Sequence, residues 1–112
     1  MLDGKKIVVT GAARGIGAEA AAELRKRGAD VVTLDVADGA DVRCDVSDLD
    51  RVEAVFAELG PIDGLLNNAG VLMARKTIDE ITMEDWDFVF DVNVKGTFLC
   101  SRAAARTMPS GA

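Results

Sequence analysis

Thr10-Gly11-Ala12-Ala13-Arg14-Gly15-Ile16-Gly17 follows the apolar run Ile7-Val8-Val9 and opens an alanine-rich helical pattern. Strand, glycine turn and helix, in that order, form the frame of a dinucleotide-binding loop. Glycines let the backbone turn tightly and approach a pyrophosphate with no Cβ in the way. A helix starting at Gly15 aims its free N–H groups and the positive end of its dipole at the same place. The reading predicts a phosphate loop at Gly11, Arg14, Gly15, Ile16 and Gly17. An ordinary strand-to-helix turn needs only a glycine or two, and three in this frame speak for phosphate.

Outward from this loop the chain alternates strand and helix. Lys5–Thr10 reads as a buried strand. Gly15–Arg27 reads as a helix with Ile16, Ala20 and Leu24 on one face and Gly28 as its stop. Asp30–Asp35 and Asp41–Val46 read as the second and third strands. Ser47, with Asp50 three residues on, reads as the N-cap of a helix to about Leu59 that turns Val52, Val55, Phe56 and Leu59 inward; Gly60-Pro61 ends it. Ile62–Asn67 is a fourth strand. Val71–Ile81 is a loop with room for one short helical turn. Thr82 then caps a long helix to about Met108, with Asp85 in the capping-box position. On that helix Trp86, Val89, Phe90, Asn93 and Thr97 share a face that reads as buried. Alternating strands and helices with near-continuous apolar strands imply an α/β fold, a parallel sheet with helices on both faces. Only Val36–Ala40 links strands two and three, which is short for a parallel crossover of a dozen residues or more.

Composition excludes several classes. One domain at most fits in 112 residues, and a 49 % hydrophobic content suits a packed core. The net charge of -6 and the absence of a dense basic cluster argue against nucleic acid. The apolar runs are a few residues long, too short for a membrane span, and no signal peptide opens the chain. Cys44 and Cys100 read as buried thiols of a reducing compartment, the cytoplasm, and not as a disulfide. There is no His and no Tyr, and nothing is spaced for a metal site.

Further signals fall in order along the chain. The glycine pattern is Gly-x-x-x-Gly-x-Gly, with Thr10 before it. Asp35 ends strand two, Asp45-Val46 ends strand three, Asn67-Asn68-Ala69-Gly70 ends strand four, and Asn93-Val94 lies inside the long helix. Together these motifs resemble the short-chain dehydrogenase/reductase family over essentially the whole chain. The short link between strands two and three is similar to that of a minority of its members. The resemblance implies a Rossmann-like three-layer fold with strand order 3-2-1-4 and flanking helices, truncated before strand five. Residues 1–112 are then the N-terminal portion of a single NAD(P)-binding domain.

The resemblance also implies roles. Asp35 would accept hydrogen bonds from the adenosine ribose and repel a 2′-phosphate, favouring NAD over NADP; the plainer alternative is a turn aspartate after a strand. Arg14 could support a 2′-phosphate or simply stand exposed near an anion. Asp45 and Val46 would hold and wall the adenine, although Asp45 could instead help cap the next helix. Asn68, Ala69 and Gly70 would lie against the cofactor, with Asn67 stabilising the sheet. Asn93 would hold the family's proton-relay water, or mark a local helix irregularity near Gly96.

The family's hydride transfer between nicotinamide and an alcohol or carbonyl also needs a Ser and a Tyr-x-x-x-Lys pair. No Tyr is present and no Lys follows Lys95, and Ser110 is not in the family's position. The expectation is a cofactor-binding half, inactive alone, that meets its small alcohol or carbonyl substrate only in the complete protein. The alternatives are a non-catalytic dinucleotide-binding module and a folding or assembly fragment. The fourth strand, an apolar edge at Ile62-Asp63-Gly64-Leu65-Leu66, leads us to expect self-association.

Overall fold

Parallel pairing organises the chain. In the computed structural model, which describes residues 1–73 and 75–112, four strands form one sheet of order β3-β2-β1-β4. They are β1 (Lys6–Thr10), β2 (Asp30–Asp35), β3 (Val42–Arg43) and β4 (Gly64–Leu66). β1 lies at the centre, with Val8 opposite Val32 on one side and Leu65 on the other. The helices are α1 (Gly15–Lys26), α2 (Leu49–Leu59), α3 (Met83–Phe90) and α4 (Thr97–Ala105). A 3-10 turn at Ile78–Glu80 lies in the predicted loop, of which Ala74 falls outside the described residues. The expected α/β architecture, parallel sheet and strand order are all present.

Side-chain alternation along the strands feeds two cores. Val8 and Leu34 pack with Val52, Phe56, Leu99 and Cys100 under α2 and α4. Val9 and Val31 pack with Ala12 and Ala21 under α1 on the opposite face. Lys6 ties the sheet to α2, its Nζ donating to the Leu59 carbonyl at 2.6 Å. A cation there complements the negative end of the helix dipole.

The short link between β2 and β3 has a simple geometry. β3 pairs only with the last two residues of β2, Leu34 with Val42 and Asp35 with Arg43. The chain therefore steps back by a residue or so, and a loop spans that without a crossover helix. Asp41 closes the loop. Its Oδ2 accepts from Thr33 N at 2.9 Å and from Arg25 Nη2 at 3.0 Å, while its own N–H donates to Thr33 Oγ1 at 2.8 Å.

Several expectations need correction. The third strand is two residues long, not Asp41–Val46, because Asp45 and Val46 curl toward α2. The fourth is three residues long, shorter than Ile62–Asn67. Asp48, not Ser47, caps α2 by accepting from Arg51 N; Ser47 donates its N–H and its hydroxyl to Asp45 Oδ1. The buried face of α1 is Gly17 and Ala21, with Ile16 82 % exposed. That helix comes so close to the glycine loop that a Cβ on Gly17 would lie 2.4 Å from the Gly11 carbonyl oxygen. The long helix from Thr82 is capped as expected, Thr82 and Asp85 exchanging hydrogen bonds, but Asp91–Gly96 forms a π-helical segment between α3 and α4. The face of α3 predicted to be buried is open: Trp86 is 51 % and Phe90 44 % exposed. α3 runs directly on into the π-helical segment and no other element packs closely against it, so its outer side has no cover among the described residues.

Candidate functional site

Open α/β sheets bind ligands at the carboxyl ends of their strands, where the strand order reverses. Here that point lies between β1 and β4. The loops after the two strands are stitched together by one buried hydroxyl. Thr10 Oγ1 accepts from Asn68 N at 3.1 Å and Ala69 N at 3.0 Å, and Asn68 Nδ2 donates to the Gly11 carbonyl at 3.1 Å. Gly11 has φ +64°, and a Cβ there would lie 2.7 Å from Ala69 Cα. Only glycine permits both the conformation and the approach.

A cleft of about 410 Å³ opens above these loops, within the roughly 300–1,000 Å³ usual for small-molecule sites. Of the residues singled out in the sequence, Gly11, Arg14, Gly15, Asp35, Asp45, Val46, Asn68, Ala69 and Gly70 line it together. Ile16 and Gly17 do not: Ile16 stands out in solvent and Gly17 is buried against the loop. Asn93 lies behind the wall. Its Oδ1 accepts from Val71 N at 2.7 Å and its Nδ2 donates to Val71 O at 2.9 Å, while its carbonyl accepts from Thr97 Oγ1. Asn67 ties β4 to α4 through Ser101 Oγ at 3.0 Å.

Sequence reasoning missed Val36, Cys44, Val71, Phe88 and Val92 in the lining. The neighbours of Asp35 and Asp45 were findable by adjacency, and Phe88 and Val92 by their i, i+4 spacing. Thr10 was quoted only as the residue before the glycines; nothing local marks its hydroxyl as a clip.

The rim is mainly acidic. Asp35 Oδ2 accepts from Ala13 N at 2.9 Å and Oδ1 from Ala37 N at 3.0 Å, so backbone donors hold the carboxylate in place. Among the described residues, Arg14 is the one cation in the lining. It sits at the N-cap of α1, which receives no side-chain hydrogen bond there. The first N–H groups of α1 are thus left for water or a ligand, with the positive end of the helix dipole behind them. Burial pushes up the thiol pKa of Cys44, at the base of the cleft, and that of Cys100 in the adjoining core to about 12. Neither is poised as a nucleophile.

The family model described as enoyl-(acyl carrier protein) reductase matches residues 11–112. The chain is 37 % identical to D-xylose 1-dehydrogenase of Caulobacter vibrioides, over 96 % of this chain and 49 % of that one. It is 36 % identical to a short-chain type dehydrogenase/reductase of Picea abies, over 98 % of this chain and 51 % of that one. The chain belongs to the short-chain dehydrogenase/reductase family.

The structure of a blue fluorescent protein from a metagenomic library, in complex with NADPH, superposes with a TM-score of 0.89 at 30 % identity, over 98 % of this chain and 53 % of that one. The chain spans about half the length of the curated relatives it matches. The short-chain dehydrogenases are oxidoreductases on a dinucleotide-binding Rossmann fold, and the sheet order and glycine loop here are of that kind. No helix among the described residues is long and apolar enough to cross a membrane.

Proposed function

We propose that this chain is the cofactor-gripping portion of an NAD-dependent short-chain dehydrogenase/reductase that transfers hydride between nicotinamide and an alcohol or carbonyl. The observation that carries the reading is the clipped pair of loops after β1 and β4. They present the uncapped start of α1, a fixed carboxylate and an apolar wall around one cleft. The group fits the residues present: Gly15, at φ +63° in the lining of the cleft, has open space where a Cβ would lie, and α1 offers unpaired N–H groups to a pyrophosphate. When bound, the nicotinamide supplies the hydride chemistry.

In this reading Gly11, Gly15 and the backbone of Ile16 and Gly17 receive the pyrophosphate. Asp35 takes the adenosine ribose, and Asp45 and Val46 the adenine. Asn68, Ala69 and Gly70 bound the far side of the cleft. Asp35 underlies the preference for NAD: its charge is held by Ala13 and Ala37 where a 2′-phosphate would sit, and two anions there repel. Arg14 is the countervailing charge, and its side chain is exposed to water. The Asn93 amide uses one donor and one acceptor on Val71, which fixes its side chain, and its backbone carbonyl, which accepts from Thr97 Oγ1, keeps a second lone pair for a relay water.

With no Tyr in the sequence, this chain has no phenol to protonate a substrate oxygen, and its expected turnover alone is nil. Complete catalysis and the choice of substrate belong to a protein that also carries a Ser and a Tyr-x-x-x-Lys segment. The two buried free thiols suit the cytoplasm. β4 is an edge with Leu66 exposed, and pairing of that edge with another chain underlies our proposal of self-association.

Calorimetric titration with NAD, NADP and ADP-ribose tests the reading. NAD and ADP-ribose should bind with similar affinity, NADP more weakly, and Asp35→Ala should narrow the gap. Absence of binding by all three at millimolar concentration would leave only the assembly-fragment reading. Binding without turnover in any wider protein would leave the non-catalytic module.

A further inference from the structure

The π-helical segment Asp91–Gly96 touches both rims of the cleft. On one rim the Asn93 amide holds both backbone groups of Val71. On the other, Gly96 lies against Val46: a Cβ at Gly96 would sit 2.5 Å from Val46 Cγ2 and 3.2 Å from Val46 Cβ. Asn93 and Gly96 are three residues apart, which on an α-helix puts them on one face. The wider turn of the π-helix spreads them, so one turn of chain reaches two walls.

Gly96 needs a reason to be glycine. Its φ of -59° and ψ of -45° are ordinary right-handed helix, open to any residue. Glycine is less favourable than alanine in a helix interior. What glycine supplies at this buried position is the room that Val46 occupies. Val46 is itself 6 % exposed, packed in the core beside Val52 and Leu99, and its remaining free side is the cleft.

We infer that Gly96 is a positioning residue that sets the width of the base slot by letting Val46 sit back from the cleft. The inference rests on the reading of the cleft as a dinucleotide site and adds to it a residue that touches no ligand. A methyl group at position 96 has no space, because the atoms it meets are the Cβ and Cγ2 of a branched side chain. Val46 must move, and it moves toward the cleft, where a flat purine would lie.

The test is a double-mutant cycle read by ADP-ribose binding, with circular dichroism to report folding. Gly96→Ala should weaken ADP-ribose at least tenfold. Val46→Ala should weaken it by a few fold, through lost wall contact. In Gly96→Ala/Val46→Ala the 2.5 Å clash with Val46 Cγ2 is gone and only the 3.2 Å approach of the Cβ at position 46 remains, which a shift of a few tenths of an ångström relieves, so affinity should return to within about threefold of that of Val46→Ala alone. A general loss of helix stability would not be rescued in this way. If Gly96→Ala does not fold, a folded double variant that binds like Val46→Ala supports the inference, and an unfolded one overturns it. A folded Gly96→Ala that binds within twofold of wild type overturns it, as does an equal loss in both backgrounds. A wild-type chain that binds no ADP-ribose removes the dinucleotide reading and this inference together; the other three results remove the inference alone.

Discussion

Thr10 is 1 % exposed, and its hydroxyl oxygen accepts two backbone N–H groups from the loop after β4. Thr10→Val keeps the shape and removes the acceptor, leaving the N–H groups of Asn68 and Ala69 without a partner. Such losses cost about 1–3 kcal/mol each. We expect Thr10→Val to lower stability in urea denaturation by about 2–4 kcal/mol, and Thr10→Ser to retain most of it. Asp41 serves the sheet in a similar way. The Thr33 N–H that it accepts is the chief reason its carboxyl titrates below 3.8. A folded-state pKa below the unfolded one means that Asp41 contributes stability above the unfolded value, and that this is lost as pH falls through the folded one. Asp41→Asn should therefore flatten the decline in stability below pH 3.8, measured by urea midpoints across that range. Neither partner was legible beforehand: Thr10 reads as a β-branched strand residue, Asp41 as the first residue of the third strand, and their partners are distant or set by register.

Elements were more legible where their signals are local. The apolar stripe of α2, the Thr82–Asp85 capping box and the glycine stops all lie within one or two turns of sequence. The cap of α2 was misplaced by one residue because Ser47 and Asp48 are both good caps, and the choice turned on Asp45 engaging Ser47. Asp48→Ala should cost about 1 kcal/mol, and Ser47→Ala less, by chemical denaturation. At the start of α3 the Asp85 carboxyl is lowered to about 2, first by its hydrogen bond from Lys76 Nζ and then by the Thr82 N–H. Its capping contribution is present above pH 3.8 and disappears as pH falls through about 2. Nuclear magnetic resonance of the Thr82 amide should show the cap intact at pH 3.5, and Asp85→Asn should remove the transition. The π-helical segment was legible only as an anomaly, an Asn in an apolar pattern near a glycine. Its form depends on contacts to Val71 and Val46, distant in sequence.

At the scale of the molecule, the surface is larger than a closed domain requires. The accessible area is 7015 Å², against roughly 5,900 Å² expected for a monomer of this mass. The radius of gyration is 14.9 Å, against about 13 Å. The excess includes apolar surface on Trp86, Phe90, Val94 and Phe98, four residues apart along α3, the π-helical segment and α4, with Trp86 and Phe90 stacked at 4.4 Å. Exposed apolar faces and an open strand edge favour association. Sedimentation should show a concentration-dependent shift above monomer mass, and Phe98→Glu or Leu66→Lys should reduce it. A strict monomer at high concentration would end the self-association proposal. The thiols should behave in the opposite sense: buried, with raised pKa values, Cys44 and Cys100 should resist alkylation at pH 8 until the chain is unfolded.

The linear chain determines what repeats or terminates locally: the strand-turn-helix frame at Thr10–Gly17, the alternation of strands and helices, the caps and stops, and the absence of a phenol or imidazole for proton transfer. Those follow from backbone freedom, side-chain period and composition, which need no partner to be defined. Tertiary structure decided which of the marked residues meet. It brought Asp35, Asp45 and Asn68 to one cleft, turned Ile16 away from it, left the aromatic face of α3 open, and made Thr10, Asp41 and Gly96 matter. These depend on register between strands and on the distance of closest approach between elements, quantities that exist only once the sheet has formed.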